Sequence, residues 1–146
     1  MNSVVFEPTI WTYDIDFNQH VSNIVYVRWM EQGRCNLLEA AGFAVTDVVN
    51  MGFGPVLVDT QIAYKRPLEL GDRVSCEVWL SEIAKASAWM DFVFRKLPAD
   101  AEDLLSGDVI ATGRQRGVFV SLENGRPRKF TDDDLAKMGR YLRPAE

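Results

Sequence analysis

The chain of 146 residues holds one histidine and two cysteines. Cys35 and Cys76 fall in separate predicted elements without C-x-x-C spacing, which argues against a zinc or dithiol redox site and reads as two buried thiols in a reducing compartment. No segment approaches the roughly 20 consecutive apolar residues of a membrane span. The N-terminus MNSVVFEPTI lacks a basic region followed by an apolar run, so a soluble, cytoplasmic protein with no membrane partner is expected. Positive charge is also short, with 16 Lys and Arg against 21 Asp and Glu and a net charge of -5, which disfavours nucleic acid as a partner. The sequence has no glycine-rich phosphate loop, metal-ligand cluster, G-x-S-x-G elbow or Cys–His pairing, so no metal and no cofactor is expected. Repeats, flexible linkers and low-complexity tracts are missing too, and residues 1–146 read as a single domain.

What is present is core-forming material: 47% of residues are apolar and 11% aromatic, enough for one hydrophobic core. Val4 to Tyr13 mixes β-branched and aromatic residues and predicts a first strand bent at Pro8. From Asn23 to Ala41 the period changes. Tyr26, Met30, Gly33, Leu37 and Ala40 or Ala41 recur at helical spacing, and Gly42 is a natural C-cap. Ile24, Val25, Val27, Trp29 and Leu38 widen the apolar stripe, which predicts a helix wrapped by sheet over most of its circumference; Gly33 permits close approach.

After a connection from Phe43 to Phe53, period-two alternation takes over. Strands are predicted at about Val56 to Tyr64, at Arg73 to Ser81, at Ala86 to Arg95 and at Val109 to Leu122, the middle two forming an antiparallel hairpin. In the first of these, Val56, Val58, Thr60, Ile62 and Tyr64 share a parity opposite Leu57, Asp59, Gln61 and Ala63. In the second, Val74, Cys76, Val78 and Leu80 read as buried against a wetter face. Pro98 to Asp108 reads as an exposed connection, Glu123-Asn124-Gly125 as a turn, and Thr131 as the cap of a short helix opened by Asp132, Asp133 and Asp134. The fold class is therefore α+β: a long central helix wrapped by a five-stranded, mainly antiparallel sheet. Trp79, Trp89 and Val93 fall on the face away from that helix, which predicts cover by another subunit.

Chemistry concentrates in Asp14-Ile15-Asp16-Phe17-Asn18-Gln19-His20-Val21-Ser22-Asn23, immediately before the long helix. Amides at a helix N-terminus are unpaired and carry partial positive charge, so they can hold a developing oxyanion. A carboxylate beside them can activate water or attack a carbonyl directly. A plainer reading stands beside this one: Asn23 as N-cap and Asp14 as an Asx-turn residue would account for the polar run without catalysis.

The run YDIDFNQHVSNIVYVRWMEQGRCNLLEAAG resembles the D-x-x-x-H-V-N-N-x-x-Y-x-x-x-x-E-x-x-R signature of the hotdog-fold thioesterases, which include 4-hydroxybenzoyl-CoA and acyl-CoA thioesterases. It matches at Asp16, His20, Val21, Asn23, Tyr26, Glu31 and Arg34. Asp16 to Val21 is also similar to the D-x-N-Q-H-V motif of plant acyl-ACP thioesterases. Ile62-Ala63-Tyr64-Lys65-Arg66-Pro67 with Gly71-Asp72 resembles the I-x-Y-x-x-P…G-D segment of the same superfamily. Two positions depart from the pattern: Gln19 stands for the usual Gly, and Ser22 for the first Asn of H-V-N-N.

The resemblance implies a hotdog fold and hydrolysis of an acyl-CoA, or of an acyl-ACP, by a homodimer or homotetramer. Asp16 would be base or nucleophile, with His20 and Asn18 in catalytic or orienting roles. Asn23 and Tyr26 would line the substrate site, joined by Asp59 or Gln61, since Ala63 stands where some members carry an acid. Arg66, Arg73, Arg114 and Arg116 are candidates for neutralising CoA phosphates. The alternatives are a non-catalytic acyl-CoA binding module and a hotdog hydratase or dehydratase.

Overall fold

The computed structural model describes residues 2–144; Met1, Ala145 and Glu146 lie outside the described residues. In chain order the elements are β1 (Val4–Phe6), a single 3-10 turn at Thr12–Asp14, α1 (Asn23–Ala41), α2 (Val45–Asn50), β2 (Phe53–Tyr64), β3 (Arg73–Ile83), β4 (Ser87–Leu97), β5 (Asp108–Ser121) and α3 (Asp132–Gly139). One sheet of five strands in the order β1-β3-β4-β5-β2, antiparallel at every pairing, carries α1 on one face. This is the expected α+β hotdog architecture.

The long helix has the span the periodicity predicts. Tyr26, Met30, Gly33, Leu37 and Ala41 are buried with Val25 and Trp29, and removing a side chain the size of Val25, Met30 or Leu37 from water is worth about 1.5–3 kcal/mol. Gly42 closes the helix at a left-handed φ of 98°, a conformation that favours glycine. A Cβ on Gly33 would lie 3.3 Å from both Phe6 and Phe92, so glycine at this position lets helix and sheet approach closely. The wrapping is less complete than expected, because Ile24 and Val27 are exposed and α1 lies mainly over β3 and β1.

Four further expectations are corrected. The first strand ends at Phe6 rather than Tyr13, and the following segment turns at Thr12–Asp14, where the Asp14 carboxylate accepts from the Trp11 amide at 2.8 Å. The Phe43 to Phe53 connection contains α2. In β2 the register with β5 slips between Leu57 and Asp59; Val58 is the extra residue of a β-bulge, so Val56 and Ile62 occupy opposite faces although their parity is the same. Finally, β3 has no wet face. Ser75 and Glu77 are buried, Ser75 Oγ donating to the Leu104 carbonyl of the 98–107 connection and Glu77 receiving Ser3, Arg95 and Arg143.

The same C-terminal arginine alters the outer sheet face. Arg143 stacks 3.5 Å from the Trp79 ring and Arg114 stacks 4.3 Å from that of Trp89. Trp79, Trp89 and Val93 are half-buried within one chain, the two indole rings partly covered by these arginines. Large apolar side chains are more exposed on β2, the long edge of the sheet, where Val56 is 47% and Val58 54% exposed. Cys76 is buried as expected, and burial pushes its thiol far up; Cys35 is only half-buried.

Candidate active site

Asp16 to His20 forms a tight loop closed by an antiparallel bridge between Ile15 and Val21. The Asp16 amide donates to the His20 carbonyl at 2.8 Å and the Gln19 amide to the Asp16 carbonyl at 3.0 Å. Inside the loop, Asp16 Oδ1 accepts from the amides of Asn18 at 2.9 Å and His20 at 3.3 Å, an Asx turn that fixes the carboxylate. Oδ2 has no protein donor among the described residues. Gln19, standing where the family pattern has Gly, takes a φ of 67°, so the loop retains the glycine conformation without the glycine.

Two more hydrogen bonds seat this loop. The Val21 amide donates to the Leu68 carbonyl and the Ser22 amide to the Asp14 carbonyl, each at 2.8 Å. Ser22, not Asn23, is the N-cap of α1, and its side chain makes no capping bond. Asn23 is the first helical residue. The Val25 amide donates to the Ser22 carbonyl at 3.0 Å, while the amides of Asn23 and Ile24 have neither a backbone acceptor among the described residues nor a side-chain cap, which leaves these two available to an incoming oxygen.

These elements enclose an open cleft of about 310 Å³. Asp16, Asn18, His20, Asn23 and Tyr26 all line it, so five of the seven residues singled out from the sequence meet in one place. Sequence reasoning did not assign Tyr64, Lys65, Arg66 and Pro67 to this cleft, yet they form its other wall; the signal was the I-x-Y-x-x-P segment, taken only as a mark of the fold. The Tyr64 hydroxyl donates to the Asn23 carbonyl at 2.9 Å, and its ring meets Tyr26 edge-on at 5.2 Å. Burial, then the neighbouring Tyr64, pushes the Tyr26 hydroxyl up to about 12, so it stays protonated and able to donate at neutral pH.

Asp59 and Gln61 are not brought into this cleft. They pair with Arg116 and Arg114 of β5, on the sheet face away from α1, because Thr60, Ile62 and Tyr64 take the inner face after the bulge. Of the four arginines considered for phosphate, Arg73 is bound to Glu7 and the carbonyls of Pro98, Ala99 and Ala101. Arg114 is held by Asp91, while Arg116 reaches Ser87. Arg66 alone lines the cleft, 68% exposed and only 3.8 Å-paired with Asp108.

Similarity to other proteins now bears on this geometry. The Bacillus subtilis protein YneP, whose name carries an unconfirmed acyl-CoA thioesterase assignment, is 35% identical over 57 residues, 39% of this chain and 41% of that protein. The chloroplast acyl-acyl carrier protein thioesterase ATL3 of Arabidopsis thaliana is 26% identical over 132 residues, 90% of this chain and 65% of that protein. The chain therefore spans less than two thirds of the length of either relative. Staphylococcus aureus SAV2348, solved in complex with CoA, superposes with a TM-score of 0.82 at 14% identity, covering 94% of this chain and 82% of that one, a likeness of fold. The model of the thioesterase-like superfamily matches residues 10–138, and the chain belongs to that superfamily.

Proposed function

We propose that this protein hydrolyses acyl thioesters, with an acyl-CoA as substrate and acyl-ACP as the other carrier of the same chemistry. The observation that carries the reading is the meeting of an immobilised carboxylate, Asp16, with the helix start at Asn23, whose amide and that of Ile24 are unpaired, in one cleft. The thioester carbonyl oxygen would lie against those amides. Asp16 takes a proton from water as the water oxygen attacks the carbonyl carbon; the negative charge on the carbonyl oxygen is held by the helix amides, and the C–S bond then breaks. The thiolate leaves and recovers the proton, giving free acid and thiol. In the nucleophilic variant the carboxylate attacks first and water cleaves the resulting anhydride.

His20 and Asn18 stand beside Asp16 in orienting roles, Asn23 and Tyr26 shape the acyl side of the cleft, and Lys65 and Arg66 bring positive charge to its rim for a phosphate-bearing carrier. A homodimer or homotetramer supplies the rest. An exposed edge strand of 12 residues offers unpaired backbone groups to a second copy of the chain. Thiol release from a panel of acyl-CoAs of graded length is the test: turnover of at least one member supports the reading, and binding without thiol release across the whole panel overturns it.

A further inference from the structure

Between the second half of α1 and the sheet lies a cavity of about 50 Å³. Its lining is almost wholly apolar, with Leu37 from the helix, Leu57, Leu80, Met90 and Phe119 from the sheet and Met138 from α3. Arg34 also lines it, but its guanidinium is engaged by Glu31 of the same helix, so the cavity offers a guest hydrocarbon. Such a space forfeits contacts that larger side chains at Gly117 or Ala88, both on its wall, would recover. Sterics do not forbid one: a Cβ on Gly117 would meet Met90 Cε at 3.8 Å and the Val56 carbonyl oxygen at 4.0 Å, both ordinary contacts.

The cavity lies in line with the candidate active site. Tyr26 lines the cleft, and Met30 and Arg34 follow it at four-residue steps along one side of α1. On β2, Tyr64 lines the cleft and Leu57 the cavity; Ile62 and Thr60 come between, paired with Gly113 and Gln115 of β5. Gln115, a buried polar residue on this path, donates to Thr60 Oγ1 at 3.4 Å. Along the helix, cleft and cavity are separated by the side chain of Met30, which is fully buried and has its Cε 2.8 Å from where a Cβ on Gly113 would sit. Methionine is unbranched and repacks readily, and the missing side chain of Gly113 leaves that wall open once Met30 turns. We propose that the acyl chain of a thioester held in the cleft runs beneath α1 past Met30 and seats its methyl end in this cavity, so that a long unbranched aliphatic acyl group is the preferred substrate. The inference rests on the thioesterase reading of the cleft. Arg34 follows Asn23 by eleven residues, about 17 Å along the helix. A zigzag chain advances roughly 3.4 Å for every three bonds, so about 15 bonds span that distance, the length of a hexadecanoyl chain. At roughly 10–15 Å³ for each water-sized group, the cavity takes about four terminal carbons, and Phe130 and Met138 line its far end. Short and aromatic acyl groups do not reach it.

The test measures, on the full chain, calorimetric affinities for S-butyl-, S-octyl- and S-hexadecyl-CoA, thioethers that cannot be hydrolysed, beside thiol release from the acyl-CoAs of the same lengths. Each buried methylene is worth about fourfold in affinity, so the hexadecyl thioether should bind wild type about a hundredfold or more tighter than the butyl one. Gly117→Ala adds one methyl group to the cavity and should lower the hexadecyl-to-butyl ratio about fourfold; Gly117→Val should lower it about tenfold or more. The alanine variant keeps the test intact if the larger side chain is not tolerated. The proposal is overturned if hexadecyl binds no tighter than butyl, or if the length ratio survives in the folded variants. Thiol release from short acyl-CoAs without any gain from length would sink the tail site and leave hydrolysis standing. A length gain lost in the Gly117 variants, with no thiol release from any acyl-CoA, would uphold the tail site and sink hydrolysis.

Discussion

The Tyr64 hydroxyl and the Asn23 carbonyl are joined at 2.9 Å, so the end of the edge strand is tied to the first turn of the central helix across the mouth of the cleft. Replacing Tyr64 with Phe removes that bond and keeps the edge-on ring contact with Tyr26. Stability should fall by about 1 kcal/mol or less, the net worth of one partly exposed hydrogen bond. Turnover should fall severalfold, because the amides that meet the substrate are held less firmly. Urea unfolding and thiol release on the same preparation check the pair; a large loss of stability with unchanged turnover would place Tyr64 in the scaffold only.

Asp16 and Asp14 separate catalysis from capping. Both carboxylates accept backbone amides, but Asp14 is buried whereas Asp16 opens on the cleft. An Asn at position 16 can retain the Asx turn through its carbonyl oxygen while losing the charge. Asp16→Asn should therefore fold and oligomerise with turnover down by about 10²-fold or more. Asp14→Asn should cost stability, about 1 kcal/mol, and far less turnover. Equal and mild losses at the two positions would reduce the motif to a capped turn.

His20 makes no side-chain hydrogen bond among the described residues and is only half-buried, so its removal strands no partner. His20→Ala should lower kcat with the melting temperature nearly unchanged. A collapse in Tm with normal specific activity in the folded fraction would make it structural.

Much of this was legible in the sequence, and the failures share a cause. The span of α1 and its Gly42 cap follow from a helical period and one residue type, both local signals. The cleft residues Asp16, Asn18, His20, Asn23 and Tyr26 were accessible for the same reason, being contiguous with the helix start. Val58 defeated the strand reading because the bulged residue is itself apolar and β-branched: the alternation continues in the letters while the faces exchange in space. Six-residue α2 is too short to establish a period. The burial of Glu77 depends on Arg143, 66 residues later, and the far wall of the cleft on the Val21–Leu68 bond; no local pattern encodes either.

That distant cover gives Glu77 a measurable acid signature. Burial pushes its carboxyl up, but hydrogen bonds from Ser3 and Arg95 and the charges of Arg143 and Arg95 outweigh it and hold the group below the usual carboxylate range. A depressed acid contributes stability that is complete above its unfolded value, near pH 4.3, and is lost as pH falls through the lower folded value. Glu77→Gln should thus be less stable than wild type by about 3 kcal/mol at pH 7, and the gap should narrow steadily between pH 5 and pH 3. Denaturant midpoints across that range measure it; a gap independent of pH would remove the ion pairs from the account.

Assembly should be read in β2. Wild type is expected to sediment as a dimer or larger at micromolar concentration. Val56→Lys with Val58→Lys, which puts charge along the exposed edge, should give a monomer. A monomeric wild type would contradict the proposed assembly.

The two edges of the sheet are unequal, and this limits how far association can go. β1 offers three residues and β2 twelve, so the molecule has one edge long enough to pair. A unit with two good edges can add copies indefinitely and grow as a fibril; a unit with one can join a single counterpart, after which no long edge remains. The bulge at Val58 and the missing amide hydrogen of Pro55 interrupt the ladder further, so that only a strand with matching interruptions fits along its length. Growth is terminated by geometry, and the chain can leave an apolar edge in water without inviting open-ended aggregation.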